Sequence, residues 1–211
     1  MILTGYILIY LYLLFSLLIA FILNKLKIRT IIIRKLIHIF LSLAWIISYY
    51  YFGSTIHLII PPISFVVINF VAYKYNIFKW AGKKPRGIIY YPLSFLILGM
   101  ITYFHPSFYY AFGIGFFCMA LADGLAPLVA GYLKSRELIN RKTLVGSITV
   151  LVISLIIVFV FNIYFDLEFN FIKIFMISIV AALLELIGKD GLDNLYVPLG
   201  VAAFVYLLGV I

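Results

Sequence analysis

Negative charge is scarce in this chain: Asp and Glu together number seven, against sixteen Lys and Arg. The only cysteine is Cys118, set in an apolar run, which excludes an intrachain disulfide and a cysteine metal centre. No connector is long enough to fold alone, so a separate soluble domain is excluded as well. Of the 211 residues only 11% are charged while 66% are hydrophobic, and the mean hydropathy is +1.22. A soluble domain carries about 25% charged and about 45–50% apolar residues. The chain therefore reads as all-α, a polytopic helical membrane bundle forming one integral-membrane domain over residues 1–211.

Further absences sharpen that reading. The opening run "MILTGYILIYLYLLFSLLIAFIL" lacks a basic leader and a small-residue cleavage site, so a retained first span is expected in place of a signal peptide. No repeat of 20–50 residues occurs, which sets repeat architectures aside. Hydropathy predicts about eight spans, at 2–23, 36–52, 56–73, 87–104, 108–130, 145–165, 171–187 and 197–211. The connectors "FGST", "FHPS" and "DLEFN" hold no Lys or Arg. Their opposites are basic: Lys25, Lys27, Arg29, Arg34 and Lys35; then Lys74, Lys79, Lys83, Lys84 and Arg86; then Lys134, Arg136, Arg141 and Lys142. This asymmetry puts the basic connectors in the cytoplasm and both termini outside. The net charge of +9 then belongs to loops that meet headgroups or phosphates, and nucleic acid is not an expected partner.

The polar groups that are present gather on one side. Asp123, Glu137, Glu185, Asp190 and Asp193 all fall at or near the cytoplasmic face in this topology. A carboxylate within an apolar segment costs about 2.5–3.5 kcal/mol on insertion scales, so Asp123 in "ADGLAPL" is a functional candidate by default. Its bland alternative is a structural carboxylate paired with a neighbouring Arg. Carboxylates beside Lys and Arg suit a magnesium–nucleotide site, because Mg2+ takes oxygen ligands and basic groups hold phosphate. Asp123, Glu185 and Asp193 are the candidate metal ligands. Gly124 and Gly131, flanking Pro127, are expected to break or bend the fifth span and turn backbone amides toward an anion.

Three further strings carry polar groups. "RKTLVGS" supplies Lys142, Thr143, Gly146 and Ser147, either as phosphate ligands or as a helix cap beside a topology marker. It is not a Walker A loop, since the G-x-x-x-x-G-K-[ST] order is absent. "RKLIHI" puts Arg34 and His38 on one helix face, with Lys35 a turn from His38; headgroup anchoring is the plainer reading for the two cations. "KKPRGIIYYPLSF" brings Tyr90 and Tyr91 to an interface, where tyrosines are normal belt residues, and Trp45 and Trp80 need no special role.

The strings "RKLIH", "GIIYYPL", "ADGLAPLVAG", "KTLVGS" and "ELIGKDGLDNLYVPL", in this order and spacing, resemble the polyprenol kinase family, which includes dolichol, phytol and CTP-dependent diacylglycerol kinases. They extend over about four-fifths of the chain. Two positions depart from the family pattern. Ala122 stands where a glycine usually precedes the aspartate, and Val145 where an acid usually precedes Gly-Ser, leaving Glu137 or Glu185 to supply that charge. The resemblance implies transfer of the γ-phosphoryl group of CTP, or another nucleoside triphosphate, to a lipid alcohol, with Mg2+ as cofactor. It implies Asp123, His38 and Lys142 as catalytic residues. Nucleotide contacts fall to Arg34, Lys35, Gly124, Lys142, Thr143, Gly146, Ser147 and Asn194, and metal binding to Asp123, Glu185 and Asp193. Expected partners are the lipid alcohol, the nucleotide, membrane lipids and a second copy of the chain. A CTP-using cytidylyltransferase and a phospholipid transporter are the competing readings.

Overall fold

The computed structural model describes residues 1–78, 86–133 and 135–210. Lys79, Trp80, Lys83, Lys84 and Lys134 lie outside the described residues. The described chain is helical, and its one isolated backbone bridge pairs Glu137 with Thr143. The helices are α1 (Ile2–Lys25), α2 (Thr30–Leu41), α3 (Ala44–Phe52), α4 (Ile60–Tyr75), α5 (Gly87–Phe104), α6 (Tyr109–Phe117), α7 (Asp123–Tyr132), α8 (Leu144–Tyr164), α9 (Phe171–Ile187) and α10 (Asp193–Val210). Among the described residues six helical runs are long and apolar enough to cross a membrane: Ile2–Lys25, Thr30–Phe52, Ile56–Tyr75, Gly87–Phe104, Pro106–Tyr132 and Leu144–Tyr164. The other two expected spans appear as α9 and α10, which do not reach that length and apolarity. Two compact units divide the chain, Met1–Tyr109 and Tyr110–Ile211.

In the first unit α1 packs on α2 and α3, and α4 on α5. One stripe of α1 turns inward, through Gly5, Ile9, Leu13, Ser16 and Ala20, while Leu3, Leu11, Leu14 and Leu18 stay exposed. Small residues share the packed stripe with Ile9 and Leu13, as in helix contacts within membranes, while four leucines stay exposed. A Cβ at Gly5 would lie 2.5 Å from the Tyr51 Cβ and 2.8 Å from the Phe52 ring, so the close approach of α1 to α3 requires glycine. Pro92 inside α5 cannot donate to the Ile88 carbonyl, and in a bilayer no water can step in. Asn69 of α4 does so instead, its Nδ2 donating to that oxygen at 2.8 Å.

In the second unit α8 packs along α9, α9 against α10, and α7 against α8. The expected break at Gly124 is not where the helix yields. The run Pro106–Tyr132 is continuous, and the irregularity is a π-helical turn at Cys118–Ala122, immediately before Asp123. Gly124 is buried inside α7, and Pro127 is accommodated within that helix. A π turn widens the helix by one residue per turn and rotates the residues beyond it, and such turns recur at functional sites. Gly115, one turn upstream, lets α10 approach: a Cβ there would collide with the Pro198 carbonyl and sit 3.0 Å from the Ala202 backbone nitrogen.

Candidate active site

Three helix ends bring carboxylates to one lysine. Asp123 opens α7 behind the π turn, Glu185 lies in the last turn of α9, and Asp193 opens α10. Lys142 stands in the connector just ahead of α8. Its Nζ donates to Glu185 Oε1, donates to Asp193 Oδ2 at 3.1 Å, and lies 3.8 Å from Asp123 Oδ1. The Asp123 and Glu185 side chains are 2% and 3% exposed, Asp193 13% and Lys142 20%, so the cluster is buried but the lysine stem keeps a path to solvent.

The electrostatics of each arm differ. Asp193 at a helix N-terminus gains from the positive end of the helix dipole, and its Oδ1 also accepts the Asn194 backbone N–H at 3.1 Å. Glu185 has the opposite setting, in the last turn, where the dipole is negative and a carboxylate needs a cation. Its second oxygen, Oε2, is buried and has no hydrogen-bond partner among the described residues. The Lys142 ammonium faces all three carboxylates. Burial pushes the Lys142 ammonium down, but Asp123, Asp193 and Glu185 outweigh it and hold the group above the ordinary lysine value.

The loop that carries Lys142 is fixed by its own backbone. Leu138 N donates to the Lys142 carbonyl at 2.7 Å, and Leu144 N to the Arg136 carbonyl at 3.0 Å. Asn140, with a left-handed φ of 54°, turns its side chain onto the end of α9, its Nδ2 reaching the Ile187 carbonyl at 3.2 Å. That bond satisfies a helix-terminal carbonyl and ties the Lys142 loop to the helix that bears Glu185. On the far side of the same connection Gly188 admits Asp193: a Cβ at 188 would lie 2.7 Å from the Asp193 Cβ and 2.9 Å from its Cα.

Among the expected site residues, Asp123, Lys142, Glu185 and Asp193 are thus brought together. Thr143 is the N-cap of α8, its Oγ1 accepting the Gly146 N–H at 3.1 Å, so the capping alternative describes both residues in this structure. The Ser147 Oγ is buried with no hydrogen-bond partner among the described residues. Asn194 is buried at the start of α10. Of the two acids that might replace the one lost at Val145, Glu185 is the one held on Lys142, while Glu137 is exposed. Arg34, Lys35 and His38 lie on α2 in the first unit. There His38 is buried, its backbone carbonyl accepts the Tyr91 hydroxyl at 3.0 Å, and its ring rests 4.8 Å from the Tyr91 ring. The belt assignment of Tyr91 gives way to this inward bond. The Arg34 Nε is buried with no hydrogen-bond partner among the described residues.

Sequence alone did not single out Asn140, Gly188 or Asn69. Asn140 sits in a polar loop where its left-handed backbone preference was the available signal; its acceptor, a helix end 47 residues away, was not visible.

Carboxylate oxygens are the donor type that a hard cation such as Mg2+ takes. Among the described residues no three His, Cys, Asp or Glu side chains are arranged around a common metal position; the carboxylates close on Lys142.

Comparison with known proteins adds one relative. The chain is 34% identical over 131 residues to a protein described as phytol kinase from Synechocystis sp., covering 57% of this chain and 54% of that protein. The chain thus spans about half the length of the curated relative it matches. The match supports a polyprenol and phytol kinase-like family. No family model matches the chain, and no solved structure does.

Proposed function

We propose that the chain is a membrane lipid-alcohol kinase, moving the γ-phosphoryl group of CTP or another nucleoside triphosphate to the hydroxyl of a phytol-like alcohol, a polyprenol or a diacylglycerol at the cytoplasmic face. The observation that carries this reading is the buried cluster of Asp123, Glu185 and Asp193 around Lys142, built from three helix ends. The similarity to a phytol kinase supports it.

Phosphoryl transfer asks mostly for positioning and charge compensation. Lys142, whose ammonium the three carboxylates hold above the ordinary lysine value, neutralises charge building on the transferred group. Asp123, buried at the head of α7, either holds the metal or orients the acceptor hydroxyl for in-line attack. Thr143, Gly146 and Ser147, at the start of α8 beside Lys142, are proposed to contact the nucleotide. Arg34, Lys35 and His38 are proposed to hold phosphate or the acceptor hydroxyl. Asp123, Glu185 and Asp193 would hold Mg2+, which when bound supplies positive charge against the phosphates.

The test is purified protein with γ-labelled CTP and ATP, a panel of phytol, polyprenol and diacylglycerol, and product identification by mass. A lipid monophosphate supports the kinase reading; a CDP-lipid with pyrophosphate release would replace it with a cytidylyltransferase. Asp123→Asn should lower lipid phosphorylation on the order of 10²-fold or more at normal protein level.

A further inference from the structure

The apolar run Pro106–Tyr132 ends and the run Leu144–Tyr164 begins on either side of one short connector, so residues 133–143 lie at a membrane face. That connector is a closed hairpin. Leu138 N donates to the Lys142 carbonyl at 2.7 Å, Lys142 N to the Ile139 carbonyl at 3.0 Å and Leu144 N to the Arg136 carbonyl at 3.0 Å. Val145 N, just beyond it, donates to the Ser135 Oγ at 3.2 Å. Left-handed backbone at Asn140 and Arg141 makes the turn at the tip. A loop that satisfies its own N–H groups loses less on leaving bulk water than one that relies on water for them.

Its side chains are not those of a solvated turn. Leu133, Leu138 and Ile139 are exposed, as are Tyr132 and Leu144 on the flanking helix ends, Tyr132 at 90% and Ile139 at 53%. Arg136 and Arg141 are exposed with them. Glu137 is the single acid between positions 133 and 143, against Lys134, Arg136, Arg141 and Lys142. Apolar side chains suited to the acyl boundary, cations suited to phosphate and a tyrosine beside them make up a segment that lies in the headgroup layer. Asn140, bonded to the Ile187 carbonyl, holds the tip against the end of α9, where Ile187 is exposed as well.

We propose that the 133–143 hairpin is a membrane-docking surface: Leu138 and Ile139 enter the headgroup layer of the bilayer that the flanking helices cross, and Arg136 and Arg141 hold anionic lipid phosphates. The docking stands whether or not the buried cluster transfers phosphate. Its consequence for that cluster is depth. Lys142 belongs to the same hairpin, so the lysine and its carboxylates are kept at the level where a lipid hydroxyl meets water.

The experiment uses the full chain in nanodiscs of phosphatidylcholine, alone or mixed equally with phosphatidylglycerol. Cys118, buried and the only native cysteine, is replaced by Ala, and Ile139→Cys carries an environment-sensitive fluorophore. Doxyl groups near the lipid headgroup should quench this label several-fold more strongly than iodide in the buffer, and phosphatidylglycerol should widen the difference. Arg136→Gln combined with Arg141→Gln should lower the docked-to-free ratio about tenfold in the mixed discs. A label open to iodide and untouched by doxyl lipid in both kinds of disc would overturn the proposal. So would a label shielded from both quenchers only in discs holding two chains, which assigns the surface to a second copy. Should the Ile139 variant not fold, the same fluorophore on Leu138→Cys decides by the same outcomes.

Discussion

At the scale of single residues, Lys142 has the largest expected effect on stability. Removing one partner from a buried ion cluster costs about 3–5 kcal/mol, so Lys142→Met should unfold at markedly lower temperature or denaturant than wild type. The pH dependence has a definite sign. The folded-state ammonium is held above its ordinary value of 10.5, so its contribution is complete below that value and is lost only as pH rises through the higher folded one. The stability gap between wild type and Lys142→Met should therefore be flat from roughly pH 7 to pH 9 as far as the lysine is concerned, measured by unfolding at each pH. Asp123 was legible in the sequence because a carboxylate in an apolar run is expensive there. Glu185 and Asp193 were legible as acids on one side of the membrane. Their common partner was not: Lys142 is 43 residues from Glu185 and 51 from Asp193, and only the folded helix ends put them in contact.

At the scale of elements, the helices follow from long apolar runs, but their irregularities come from neighbours. The Gly124-Pro127 pair looked like the breaking point of the fifth span; the irregularity lies instead in the preceding π turn, which packs against α8 and α10. The Pro92 break in α5 is repaired by Asn69 on another helix. Asn69→Ala leaves a carbonyl unsatisfied in a water-free setting and should cost about 1–3 kcal/mol, checked by thermal unfolding in detergent. Gly188 bears on the site itself. Its Cβ position is taken by Asp193 backbone and side chain, so Gly188→Ala must shift the start of α10. Misplacement of about 1 Å in a positioned group costs on the order of 10²-fold in rate, and Gly188→Ala should lose activity on that order while remaining folded. Asn140→Gly, which keeps the left-handed backbone but removes the bond to α9, should fall between wild type and Asn140→Ala in activity.

At the scale of the whole molecule, composition settled the class: helical and apolar enough to cross a membrane in six runs, with two further helices, α9 and α10, carrying site residues at their ends. Among the described residues six of the eight hydropathy segments lie in helical runs long and apolar enough to cross a membrane, and the other two lie in α9 and α10. Membrane sidedness is a separate proposal. Single cysteines placed at Lys27 and Arg141 should react with an impermeant reagent only from the cytoplasmic side, and one at Asp166 only from the other. The central claim is that the Lys142 cluster transfers phosphate to a lipid alcohol. The most direct measurement is lipid monophosphate formed from γ-labelled nucleotide by purified wild type and by Asp123→Asn, with membrane protein levels matched. Labelled lipid phosphate from wild type and its near-complete loss in Asp123→Asn are the predicted results. Undiminished product from Asp123→Asn, or no lipid phosphate from wild type with any nucleotide and alcohol in the panel, would contradict it.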